Sequence, residues 1–236
     1  MPDITFFIHL YYPGSWNMIR EKCAPIMQQA AQIIITACYD EVIEEIGPTD
    51  ANTTVLKVTN KGKDIGGKLA GLSYYLHFCK RTEYFAFLHD KTSPQTINAE
   101  YWRDSLFSIF EKNSFDKAMR MLEEDPQTGI LGSKAFIRNE FVPESAKFDT
   151  TNNDVLWELI SNYQLNGQPY DFVAGTVFIG RSRILETFFS AHSPLDAREE
   201  LEKGNVLDLE KGTYTHAWER LFCFIAEDQG YKITGI

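Results

Sequence analysis

The feature that most constrains this chain is the alternation of short, continuously apolar runs with longer segments of helical period. "ITFFIHL" (Ile4 to Leu10), "QIIITAC" (Gln32 to Cys38), "TTVLKV" (Thr53 to Val58) and "YFAFL" (Tyr84 to Leu88) are strand-length, and most are apolar at consecutive positions. A strand that hides both faces belongs inside a mostly parallel sheet covered by helices on either side, the α/β class. "SWNMIREKCAPIMQQA", with Ser15 as a candidate N-cap and Pro25 as a kink, reads as one covering helix. "GKLAGLSYYLHFCK" reads as another, from its three- and four-residue apolar spacing.

The second half continues with "YWRDSLFSIFEK", "FDKAMRMLEED" and "NNDVLWELISNY" as helices and "GILGS" as a short strand. "DFVAGTVFIGRSRILETFF" reads as one strand entering a helix, and "YTHAWERLFCFIAEDQGYKITGI" as a long helix and a last strand. "FIRNEFVPESAKFDT" and the acidic "SPLDAREELEKGNVLDLEKG" read as loops or partly helical insertions.

With 236 residues and 44% apolar content, a single domain over residues 1–236 is expected, either complete or as part of a longer enzyme. No run approaches the ~20 apolar residues of a membrane helix. The N-terminus lacks a basic leader and a small-residue cleavage site, so a cytoplasmic location is expected. Cys23, Cys38, Cys79 and Cys223 are scattered without a Cys-x-x-Cys pair and read as reduced core residues. A formal charge of −10 argues against nucleic-acid partners, because tracking phosphates takes a cationic excess.

Ligands of such sheets gather at the carboxyl ends of the strands, and four polar clusters are read as following predicted strands. "HLYYPG" offers His9, Tyr11 and Tyr12, either as a stacking face for a nucleobase or as packing at a strand end. "TNKGKDIGG" combines glycines with Lys61, Lys63 and Asp64, as an anion-binding loop or a plain turn. "LHDKTSP" puts Asp90 between His89 and Lys91, as a hard metal ligand beside a phosphate-neutralising cation or as a surface ion pair. In the fourth, "THAWERLFCFI", helical spacing gathers His216, Glu219 and Arg220 on one side and Trp218, Leu221, Phe222 and Ile225 on the other. Glu219 reads as a general base or as part of a solvated Glu–Arg face.

In collinear order, "HLYYPGSW", "NKGKDIGG", "LHDKTSP" with "YWRDSL", "AGTVFIGR" and "HAWERL" resemble a glycosyltransferase of the GT-A fold, and more narrowly the rhamnan synthesis protein F family. Glu219 followed by "GYKI" is similar to the end of many inverting GT-A enzymes. The resemblance implies transfer of a hexose or deoxyhexose such as rhamnose from a UDP-, dTDP- or GDP-sugar to a glycan hydroxyl, with Glu219 as base.

Carried over by position, the resemblance places His9 and Tyr11 near the base or phosphates and Asn60, Lys61 and Asp64 around base and ribose. His89, Asp90, Lys91 and Arg103 fall at the diphosphate, and Gly175 and Thr176 on the acceptor side. Where the family pattern has Asp-x-Asp, this chain keeps Asp90 alone. A Mn2+ or Mg2+ ion would then rest on Asp90 with His216, and Lys91 would take over part of its work. Two other readings are a GT-A-like module that binds a glycan or nucleotide without transfer, and a nucleotidyltransferase, whose glycine-rich basic signature "HLYYPG" does not supply.

Overall fold

A computed structural model describes residues 3–90 and 99–236. The strands are β1 (Ile4–Leu10), β2 (Gln32–Ala37), β3 (Thr53–Lys57), β4 (Tyr84–His89), β5 (Thr128–Gly132), β6 (Ile137–Asn139), β7 (Phe141–Val142), β8 (Lys147–Phe148), β9 (Asp171–Val173), β10 (Phe178–Arg181) and β11 (Lys232–Gly235). The helices are α1 (Ser15–Met27), α2 (Asp40–Ile46), α3 (Lys63–Phe78), α4 (Ala99–Phe107), α5 (Lys112–Glu124), α6 (Asn153–Asn162), α7 (Ser182–Ala191), α8 (Pro194–Glu200) and α9 (Tyr214–Asp228).

Seven strands form the central sheet in the order β11-β5-β10-β4-β1-β2-β3. β1 pairs in parallel with β2 and β4, β2 with β3, and β5 with β11. β10 alone is reversed, antiparallel to both β4 and β5. This single-domain, mostly parallel sheet flanked by helices is consistent with the GT-A-like expectation. The continuous apolar runs have the cause inferred for them: every residue of β1 and β4 is buried. Phe7, Phe85, Phe178 and Phe222 ring Phe87 with centroids 4.8–5.5 Å away, so helix α9 and three strands share one aromatic core.

Three local expectations are corrected, and a fourth, the partly helical acidic insertion, is borne out. Ser15 is not a cap: Gly14 holds the N-cap position, and Glu45 of α2 accepts the Gly14 and Asn17 N–H groups at 2.7 and 3.2 Å. "DFVAGTVFIGR" is two strands, β9 and β10, separated by a turn in which Gly175 (φ 85°) and Thr176 (φ 46°) are both left-handed. "FIRNEFVPESAKFDT" forms the short strands β6, β7 and β8. The acidic insertion is α8 and a strap lashed to the glycine-rich loop. Glu202 O accepts the Gly62 N–H at 2.7 Å, Asn60 O accepts that of Gly204 at 2.9 Å, and Arg198 Nε donates to Gly66 O at 3.0 Å. Among the described residues, no helix is long and apolar enough to cross a membrane.

Candidate functional site

The carboxyl ends of β1–β4 lie on one edge of the sheet, where the β3–α3 loop, the 174–177 turn and the start of α9 converge. They enclose a cavity of about 90 Å³. Lys63, Asp64 and Ile65 line it from α3, His89 from β4, Gly175 and Thr176 from the turn, and Thr215, His216 and Glu219 from α9. Seven residues picked from four separate stretches of sequence therefore meet: Lys63, Asp64, His89, Gly175, Thr176, His216 and Glu219.

Asp64 is bound from three sides. Its Oδ2 accepts hydrogen bonds from Lys68 Nζ at 2.8 Å and Thr176 Oγ1 at 2.7 Å, and lies 3.5 Å from His89 Nδ1. Burial alone would raise its carboxyl. His89 and Lys68 beside it, with the bonds from Lys68 and Thr176, outweigh that and hold it well below the usual carboxylate range.

On α9, Thr213 caps the helix by accepting the His216 N–H. Lys63 Nζ, which has only protons to offer, sits 3.4 Å from His216 Nε2. That assigns the imidazole proton to Nδ1, which donates to Thr213 Oγ1 at 2.5 Å. Burial, then the Lys63 charge, lowers the His216 pKa, in keeping with a neutral ring. One oxygen of Glu219 accepts the Gly175 N–H and the other accepts Arg220 Nη1 at 3.0 Å. Arg220 is itself fixed by a two-pronged bond to Glu140 at 2.8 and 3.0 Å. Glu219 is thus aimed at the cavity by donors on either side, and spare lone pairs remain to take a proton.

A second cluster lies at the tips of β1 and β2. Tyr39 OH donates to Tyr11 OH at 2.9 Å, and Tyr11 meets Tyr12 and Tyr39 edge-on at 4.9 and 5.1 Å. Asp90 holds this loop from below, its Oδ2 accepting the Tyr11 and Tyr12 N–H groups at 2.7 and 2.6 Å. His9, only 2% exposed, lies against α3, where a Cβ on Gly67 would fall 2.0 Å from the ring. Its Nδ1 pairs with Thr36 Oγ1 at 2.9 Å, and burial lowers its pKa to about 4. His9 is a neutral packing residue that does not line the cavity.

The profile of rhamnan synthesis protein F matches residues 2–231. The chain belongs to the rhamnan synthesis protein F family. No curated protein matches it. Family membership assigns this rhamnan synthesis protein F relative to glycan synthesis, the coarse function inferred from its motifs.

The remaining candidates lie apart from the cavity lining. In this family member Lys61 turns away to pair with Glu199 at 3.1 Å, and Asn60 Nδ2 donates to Asn205 at 3.3 Å, so both bind the strap. Arg103 is on α4, 3.9 Å from Asp104. Lys91 lies outside the described residues. For the divalent ion, Asp90 spends an oxygen on two backbone amides, and the metal-binding atom of His216 faces an ammonium. Among the described residues, no three His, Cys, Asp or Glu side chains gather in a geometry that could hold a metal ion. The described residues of this rhamnan synthesis protein F relative therefore do not fit a resident metal.

Sequence reasoning missed Lys68, 1% exposed and central to the Asp64 network. The signal was its spacing of four from Asp64 on one helix. Tyr39, Arg198 and Glu202 were also missed. Glu202 accepts the Tyr214 and Thr215 N–H groups at 2.7 and 2.9 Å, tying the strap to the start of α9.

Proposed function

We propose that this protein is an inverting glycosyltransferase that moves a hexose or deoxyhexose, such as rhamnose, from a nucleotide-sugar to a glycan hydroxyl in the cytoplasm. The observation that carries this reading is Glu219, a carboxylate held from both sides at the wall of a cavity that it shares with Asp64 and His89 at the sheet's carboxyl edge. The acceptor oxygen attacks the anomeric carbon, its proton passes to Glu219, and the bond to the diphosphate breaks with the electron pair leaving on phosphate. The nucleotide's base has the exposed Tyr11–Tyr39 pair to stack on. The developing charge on the diphosphate has Lys63 nearby, with Lys91 and Arg103 supplied by the family pattern.

Glu219→Gln should keep nucleoside-diphosphate binding and lose transfer by about a hundredfold or more, the usual size of a general-base contribution. Binding is read by thermal shift against UDP-, dTDP- and GDP-sugars, and transfer by product formation. Equal activity in the variant removes Glu219 as base, and absence of a shift with every donor removes the reading. Because Asp90 and His216 are engaged by the protein's own donors, activity should persist in excess chelator. Abolition by chelator, with restoration by manganese, would show that these residues exchange partners to hold an ion.

A further inference from the structure

Lys68 projects from α3 into the interior, and its ammonium reaches both sides of the cavity. Nζ lies 2.8 Å from Asp64 Oδ2 in the first turn of the same helix. On the other side it lies 2.8 and 2.7 Å from the carbonyl and hydroxyl oxygens of Thr176, and 3.2 Å from His89 Nδ1. Thr176 Oγ1 completes a triangle by donating to the same Asp64 oxygen at 2.7 Å. A β-branched residue with φ near +46° is sterically disfavoured and persists only where its surroundings hold it. Here the holding groups are Lys68 and Asp64. The neighbouring Gly175 N–H, fixed by the same turn, is the group that binds Glu219.

We propose that Lys68 is a positioning residue: it pins the left-handed Gly175–Thr176 turn to Asp64, and through the Gly175 N–H it sets the orientation of Glu219. One ammonium thereby couples the first turn of α3 to the base. The catalytic consequence rests on the transferase reading, but the structural one does not.

Three variants test this: Lys68→Met, Lys68→Met with Asp64→Asn to leave no unpaired carboxylate, and the milder Thr176→Val, which keeps β-branching and deletes only the hydroxyl. Two readouts apply to each folded variant. The first is amide hydrogen exchange at Gly175 by NMR, which needs no activity. It should quicken at least tenfold in both Lys68→Met proteins and by less in Thr176→Val. The second is transfer kinetics. kcat should fall at least tenfold, with the acidic limb of its pH profile displaced, while the donor KM changes by less than kcat. Unchanged exchange at Gly175 overturns the proposal whatever the kinetics. Faster exchange with unchanged kcat and pH profile confines Lys68 to structure and overturns its positioning role. Faster exchange in the variants, with a wild-type protein that transfers from no donor, leaves the Lys68 coupling standing and removes the transferase reading instead.

Discussion

Two aspartates near the carboxyl edge of the sheet, Asp64 half-buried and Asp90 buried, show how surroundings divide one side chain between two jobs. Asp64 faces a lysine ammonium, a threonine hydroxyl and a histidine, and its carboxyl is held well below the usual range despite burial. Asp90, 6% exposed, has the Tyr11 and Tyr12 amides and the Ser15 hydroxyl for partners. Burial wins there, and the Asp64 charge adds to the rise, so its carboxyl is pushed up. A full countercharge makes Asp64 a fixed anion around which the cavity is built. Uncharged amides and a hydroxyl make Asp90 a clip that joins β4 to the tyrosine loop.

The largest expected effect comes from breaking the first half of that contrast. Asp64→Asn takes the Asp64 charge away from the buried Lys68 ammonium, and losing one partner of a buried pair costs roughly 3–5 kcal/mol. Urea denaturation at pH 7 measures it. A loss below ~1 kcal/mol would mean that Thr176 and His89 satisfy Lys68 by themselves, and Asp64 would no longer differ in kind from Asp90.

Acid sharpens the contrast next. His9 has its folded pKa lowered from 6.5 to about 4, so it takes up a proton more readily unfolded than folded. Its contribution is fully present above pH ~6.5 and is lost as pH falls toward 4, about 3 kcal/mol across the window. Asp64, with a depressed pKa, holds its contribution to lower pH and loses it only as pH falls from its unfolded value through its folded one. Asp90 has the opposite sign, costing stability as pH rises through its unfolded value toward its raised folded one. Melting temperature against pH should therefore fall in two steps on acidification, and His9→Asn should shrink the upper one, leaving the part that His216 contributes through its own lowered pKa. An unchanged upper step would locate that proton elsewhere.

How far the sequence foretold this site depends on what each residue's neighbours reveal. β1, β2 and β4 were legible because a strand buried on both faces must be apolar at consecutive positions; the ends of β3 and β4 pointed to Asp64 and His89, and helical spacing on α9 pointed to Glu219. The reversal of β10 was not legible, because "VAGTVFIG" is equally apolar in either direction and Gly175 is its one sign of a turn. Lys68 was hidden by composition: a lysine within an amphipathic helix reads as solvated, and only three-dimensional proximity to Thr176 and His89 shows why it is inside. The strap after α8 was hidden in the same way, since an acidic stretch reads as surface until Glu202 is seen capping α9. Asp90 was located correctly at the strand tip, but its two amide partners are contributed by β1's loop, far off in sequence.

The smallest effect is the most direct test of Asp90 as a clip. Both tyrosine amides bond to the same oxygen, Oδ2, so the single carbonyl oxygen of an asparagine can accept both. Asp90→Asn gives up charge-assisted hydrogen bonds and also removes a buried charge that already costs stability at neutral pH, so the change should stay within ~1 kcal/mol. Asp90→Ala removes the acceptor altogether and should cost ~2 kcal/mol, since it orphans two amides. The same pair of variants separates clip from ligand. A clip predicts that Asp90→Asn keeps the nucleoside-diphosphate thermal shift with or without manganese. If Asp90 instead holds an ion on the diphosphate, the asparagine variant will be as stable as the parent and will have lost the manganese-dependent part of that shift.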